Sequence, residues 1–129
     1  MELSLEVANG AMETVVAKTK TLVSMAFAEG DERAELLAEK IGHEAYGIVV
    51  KVFDLPSDGS AKGNPTVALD PNDLRAQVSH TQGRILTYVE LAFPVPHQCE
   101  AMKSLVSEAL WEFPQRVHRL LETRIAEPG

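Results

Sequence analysis

One cysteine is all the thiol chemistry this sequence holds. Cys99 has no second cysteine to pair with, so no disulfide can close within the 129 residues and a Cys-rich zinc site is excluded. That economy fits a reducing compartment. Long apolar runs are missing as well. None approaches the roughly 18 residues of a membrane span. Glu2 and Glu6 stand where a secretory leader carries basic residues. The sequence predicts a cytoplasmic protein with no membrane partner. Positive charge is in deficit, with a net charge of −7. A field of that sign repels phosphate backbones, so nucleic acid is not expected as a partner. Twelve of the 19 acidic side chains fall in residues 1–70, and the acidic surface reads first as a solubility device. Internal repeats, a phosphate-cradling glycine loop, a Gly-x-Ser-x-Gly elbow and a Ser/His/Asp set are all absent. No catalytic residue, metal ligand or cofactor is assigned.

What is present is an ordinary globular composition, 45% hydrophobic and 24% charged. The length fits a single domain over residues 1–129. A chain of this size buries roughly two thirds of its unfolded surface and folds without staples. Asp54 to Pro71 is rich in Pro, Gly, Ser, Asp and Asn, with Pro56-Ser57-Asp58-Gly59-Ser60 and Gly63-Asn64-Pro65 inside it. This is turn chemistry, and the segment reads as a surface loop.

Two secondary-structure readings compete. In one, apolar residues at 34, 37, 41, 45, 48 and 52, and at 74, 78, 85, 89 and 92, keep a helical period. The second set follows the helix-start signature Asp70-Pro71-Asn72-Asp73. Four helices would then form an up-and-down bundle. In the other, the chain is α+β. Glu2 to Val7 alternates as a half-buried strand does, and Asn9-Gly10 turns the chain. Ile48 to Phe53 is dense in β-branched residues. Leu74 to Ser79 alternates again, His80 to Gly83 turns, and Ile85 to Phe93 continues as strand. Glycine decides between the two. The bundle buries Gly10, Gly42, Gly47 and Gly83 inside helices at roughly 1 kcal/mol each. The mixed fold leaves only Gly42 there. The sequence therefore predicts α+β: a small antiparallel sheet packed on helices, with a long C-terminal helix. The four-helix bundle is the alternative.

Two helices are common to both readings. One runs from an Asp31 N-cap to about Ala45. The other runs from about Pro96 to Ile125 and buries Met102, Leu105, Val106, Ala109, Phe113, Val117 and Leu120. Pro114 should kink or break it near Phe113. Residues 11–28 read as helix despite several strand-loving side chains.

Five groups of residues bear on function. His97-Gln98-Cys99-Glu100 is the densest reactive cluster, at the start of the last helix, where the dipole favours a thiolate. His97 and Cys99 point about 200° apart on a helix, however, and a lone cysteine is usually a small buried hydrophobe. Glu32, Glu35, Glu39 and His43 share a helix face. The pattern lacks the paired spacing of known metal motifs and reads as a solvated acidic face, one able to attract a basic partner. Arg75 and His80 resemble the Arg-x4-His motif of the HEPN ribonucleases, small helical bundles whose Arg and His act on RNA phosphate. The likeness covers six residues, with Ala76 where that family commonly has a polar side chain. It does not assign the family, and the residues read as a strand edge and turn. Arg116, His118, Arg119 and Arg124 make a basic helix end that complements the helix dipole. Trp111 falls outside the apolar stripe, in line with Ser104, Ser107, Gln115 and His118, and marks a contact surface.

The expected function is non-catalytic: binding a protein partner, with self-association as a homodimer. The interface candidates are Trp111, Ser107, Gln115 and His118. The alternative is a small-molecule-binding domain or small enzyme. Its pocket would lie between the sheet and the last helix, with His80, Glu90, His97 and Cys99 near it.

Overall fold

The computed structural model describes residues 2–56 and 63–126, with side chains through Leu121. Segment 57–62 of the proposed loop, and the Arg124 and Ile125 side chains, lie outside the described residues. A short strand β1 (Glu2–Ser4) leads into α1 (Leu5–Ala26). Then follow α2 (Glu32–Val52), a second strand β2 (Thr66–Ala68), α3 (Pro71–Ala92) and α4 (Pro96–Ala126). The protein is mostly helical, with one small two-stranded antiparallel sheet.

Each helix packs on two others: α1 on α2, α2 on α3, α3 on α4, and α4 back on α1. The short connections 27–31 and 93–95 make their flanking helices antiparallel neighbours. β1 precedes α1 and β2 precedes α3, and the two strands pair in the register Glu2↔Ala68, Leu3↔Val67, Ser4↔Thr66. The pairing draws residues 63–70 of the α2–α3 connection across one end of the helices as a strap. Leu3, 1% exposed, points into the core beneath it. Among the described residues no helix is long and apolar enough to cross a membrane.

The local signals at helix starts act as read. Asp31 accepts from the Arg33 amide at 2.9 Å. Asp70 accepts from the Asn72 amide at 2.9 Å, with Pro71 in the first turn. Each satisfies one amide that the first turn leaves without a partner. At the far end of α2, Leu55 N donates to Val50 O at 2.9 Å and Asp54 N to Lys51 O at 3.3 Å. Asp54 sits at φ +50, so α2 closes in a left-handed Schellman turn.

Three strand expectations are corrected. Residues 48–52, 74–79 and 85–92 are helical, and β1 stops at Ser4, whose hydroxyl caps α1 through the Val7 amide. The burial pattern gives the reason. Leu74, Val78, Thr81, Ile85 and Val89 are all buried, at steps of three or four. Ile48 and Val49 are both buried while Lys51 is exposed, which no period of two allows. Each large apolar side chain on such a stripe contributes roughly 1.5–3 kcal/mol on burial. That outweighs the one or two glycines in a helix and the weaker preference of β-branched residues. Asn9-Gly10, Gly47 and Gly83 are accordingly inside helices rather than at turns.

In α4 the buried stripe runs through Cys99, Met102, Val106, Ala109, Leu110, Phe113, Val117 and Leu121. Leu105 and Leu120, expected in the core, are 43% and 44% exposed. The helix is continuous through Pro114, so no break occurs there. The proline ring only withholds an N–H from the Leu110 carbonyl.

A methyl group added at Gly10, Gly47 or Gly83 would meet nothing within 4 Å. Gly10→Ala, Gly47→Ala and Gly83→Ala are each expected to raise stability by about 0.5–1 kcal/mol in urea unfolding. Gly42→Ala should gain less, because its methyl meets Val16 Cγ1 at 3.4 Å across the α1–α2 seam. Destabilisation at positions 10, 47 and 83 would contradict this packing.

Candidate functional site

The four pocket candidates do not converge. Cys99 is buried in the core, 8% exposed. His97 is exposed in the first turn of α4. Glu90, on α3, accepts a hydrogen bond from Lys103 on α4 at 2.5 Å. His80 faces a different seam, between α2 and α3, where it lines a groove with His43 and Arg84. Arg75 lines another groove, beside Trp111 and His118. The Arg75–His80 pair therefore does not form one site. A hollow of about 290 Å³ lies between the last helix and the chain leaving β2, bounded by Leu69, Leu74, Trp111 and His118. None of the four pocket candidates lines it.

The interface candidates do gather. Trp111 and Gln115 line both this hollow and a broader groove that also holds Ser107. Trp111 is half-buried and its Nε1 donates to Gln82 Oε1 at 2.9 Å. Gln82 Nε2 in turn donates to Ser107 Oγ at 3.0 Å. The Gln82 amide thus bridges α3 to two positions one turn apart on α4. The indole keeps one face on the seam and leaves the other toward the grooves. The helical projection missed this because α4 turns its stripe toward Leu110 and Leu121.

The end of the helices opposite the strap is different in character. Among the described residues, the exposed large hydrophobics include Met25 and Leu91, both 79% exposed, Leu36 at 56% and Val95 at 40%. These sit in the last turns of α1 and α3, near the start of α2 and in the α3–α4 connection, so all four belong to one end. Two rings close the floor there: Phe27 and Phe93 lie 5.1 Å apart, tilted by 38°. The Arg33 guanidinium lies 5.3 Å from the Phe27 centroid. Gly30, at φ +82, makes the tight return from α1 to α2. Acidic residues ring this end. Glu29, Asp31 and Glu35 line a shallow hollow with Met25 and Phe27, and Glu32, Glu90 and Glu100 are exposed nearby in sequence. The hydrogen bonds from Arg33 hold the Asp31 carboxyl below its usual range. Sequence reasoning saw part of this as an acidic helix face. Met25, Leu36 and Leu91 carry no sequence signal, because each sits within a helical stretch, and Val95 is a single apolar residue between two prolines.

Cross-helix ion pairs mark three seams: Lys18 with Glu112 between α1 and α4, Arg84 with Glu44 at 2.8 Å between α3 and α2, and Lys103 with Glu90 between α4 and α3. Each is partly exposed, so its value is under about 1 kcal/mol and its role is register. Among the described residues no three of His, Cys, Asp and Glu are placed to hold a metal ion. Comparison with protein-family models, curated proteins and solved structures finds no match.

The Trp111–Gln82 bond can be tested by a double-mutant cycle in urea. Trp111→Phe and Gln82→Met should couple by about 0.5–1.5 kcal/mol, as each removes one partner of the same half-buried bond. Additive effects would show that the bond does not hold the seam.

Proposed function

We propose that this chain acts without catalysis, by binding a protein through the apolar end of its helices, and that a second copy of itself is the first such partner. The observation carrying this reading is the gathering of Met25, Leu36, Leu91 and Val95 at one end, each exposed to water. Single exposed leucines are ordinary, but a group of them at one end is what a docking face presents. The Trp111 stripe is a second surface compatible with this reading. Its half-buried indole, already engaged with Gln82, offers less free apolar area. The same reading places the chain in the cytoplasm, with neither nucleic acid nor membrane as partner. The low pI of about 5.0 supports the exclusion of nucleic acid.

The acidic rim gives the reading a distinctive signature. Two copies meeting end to end bring like charges together, so the apolar contact works against repulsion. Salt screens that repulsion over roughly 8–10 Å at physiological strength.

Sedimentation over a dilution series is expected to show a monomer–dimer equilibrium that tightens as salt rises. Leu91→Asp and Met25→Glu should shift it to monomer while leaving the helical circular dichroism unchanged, since both side chains are exposed. Association weakened by salt would contradict the second-copy reading, as would a monomer at about 100 μM protein.

A further inference from the structure

We propose that the groove crossing α2 at Gly47 is a binding site for a small organic anion, its oxyanion head among the basic side chains and its apolar arm along Tyr46 and Leu55. The site is separate from the apolar end and does not rest on it. The groove holds about 540 Å³ and is walled by α1, α2 and α3 together. Asn9 of α1 lines one side and His80, Thr81 and Arg84 of α3 the other, so the groove passes over α2 itself. It can do so because α2 has no side chain at Gly47, where a Cβ would meet nothing within 4 Å. A glycine in mid-helix costs about 1 kcal/mol against alanine. No packing contact inside the protein requires that cost here. The same holds at Gly10 and Gly83, but of the three it is Gly47 that lines this groove.

Four basic side chains stand around the gap. His43 and Lys51 stand one turn before and one turn after Gly47, on the same face of α2. The Glu44–Arg84 pair sets the register of the antiparallel helices, and this brings residues 80 and 81 level with Gly47. His80 and Arg84, one turn apart on α3, thus flank the gap from the other side. Among the described residues Glu44 is the one carboxylate lining the groove, and it is already bound to the guanidinium. Lys51 and Arg84 therefore outweigh it, in a chain whose net charge is −7. Basic groups converging on a mid-helix gap in an acidic protein are the surroundings an oxyanion needs. The aromatic face of Tyr46 and the half-buried Leu55 supply the apolar flank. Burial raises the Tyr46 hydroxyl above its usual range, and the Glu13 carboxylate adds to the rise, so Tyr46 stays neutral toward an anion at ordinary pH.

The chain's own histidines report on this. Two of its four, His43 and His80, line the groove, while His97 and His118 do not. Phenyl phosphate, benzoate and inorganic phosphate are titrated separately into the full chain at constant salt and pH, following the four imidazole proton resonances. Phenyl phosphate or benzoate is expected to move His43 and His80 saturably with a Kd below about 10 mM, leaving His97 and His118 in place. Which of the two binds more tightly identifies the head group. Gly47→Leu, which fills the gap and favours the helix, should weaken binding by about tenfold or more. Lys51→Gln should weaken it without touching the Glu44–Arg84 pair. Equal movement of all four histidines, no saturation, undiminished binding by Gly47→Leu, or inorganic phosphate binding as tightly as phenyl phosphate would each overturn the proposal.

Discussion

The arrangement turns on how the first turn of α1 satisfies its amides. A helix start leaves four N–H groups without intrahelical acceptors, and an end buried without partners is costly. Here Leu5 N donates to Pro65 O at 2.8 Å, Glu6 N to Asn64 Oδ1 at 2.8 Å and Val7 N to Ser4 Oγ at 3.3 Å. Two of the three acceptors come from a segment about 60 residues later in the sequence. Asn64 also reaches the Glu6 carboxylate, and Gly63 at φ +74 allows the approach. The strap is thus a helix cap as well as a connection. It explains why a neighbouring pair of antiparallel helices is joined by a long segment when a short one would do.

From that clamp the rest follows in order. β1 and β2 extend the capping contact by three paired residues and seat Leu3 in the core. The strap starts α3 at the same end as α1, with Asp70 and Pro71 as its cap. The four helices then bring their stripes together around Met12, Val15, Ile41, Ile48, Val78, Ile85, Val106, Leu110 and Phe113. The strap closes one end over apolar side chains. The other end, joined only by short turns, leaves Met25, Leu36, Leu91 and Val95 in water. The gathering of these four at the end away from the strap is the asymmetry on which the protein-binding reading stands.

Much of the local structure was legible in the residues. The caps at Asp31 and Asp70-Pro71, the start of the last helix at Pro96 and the turn chemistry near Gly63-Asn64-Pro65 act as their types suggest, and the strand read over Glu2 to Val7 is present in its first three residues. The choice between sheet and bundle was less legible. Gly47 and Gly83 read as turns because a helix has no internal use for them, and Ile48 to Phe53 read as strand because its residues are β-branched. Neither local preference sees tertiary burial, which decides both. Residue types also do not show which helices face one another. His43 read as part of an acidic face and His80 as a turn, and only the α2–α3 packing places them on one groove. The spacing His43, Gly47, Lys51 was the available signal: a mid-helix gap with a basic group one turn to either side.

The central claim is that the strap, acting as the cap of α1, holds the fold together. Native-state hydrogen exchange of the Leu5 and Glu6 amides tests it most directly. First-turn amides bound only to water exchange freely, as fraying ends do. If the strap caps them, both should be protected to nearly the level of mid-helix amides such as Val15, and Asn64→Ala should release Glu6 while Leu5 keeps its bond to Pro65. Exchange of both amides at unprotected rates in the unaltered protein, with the helix cores still protected, would contradict the account.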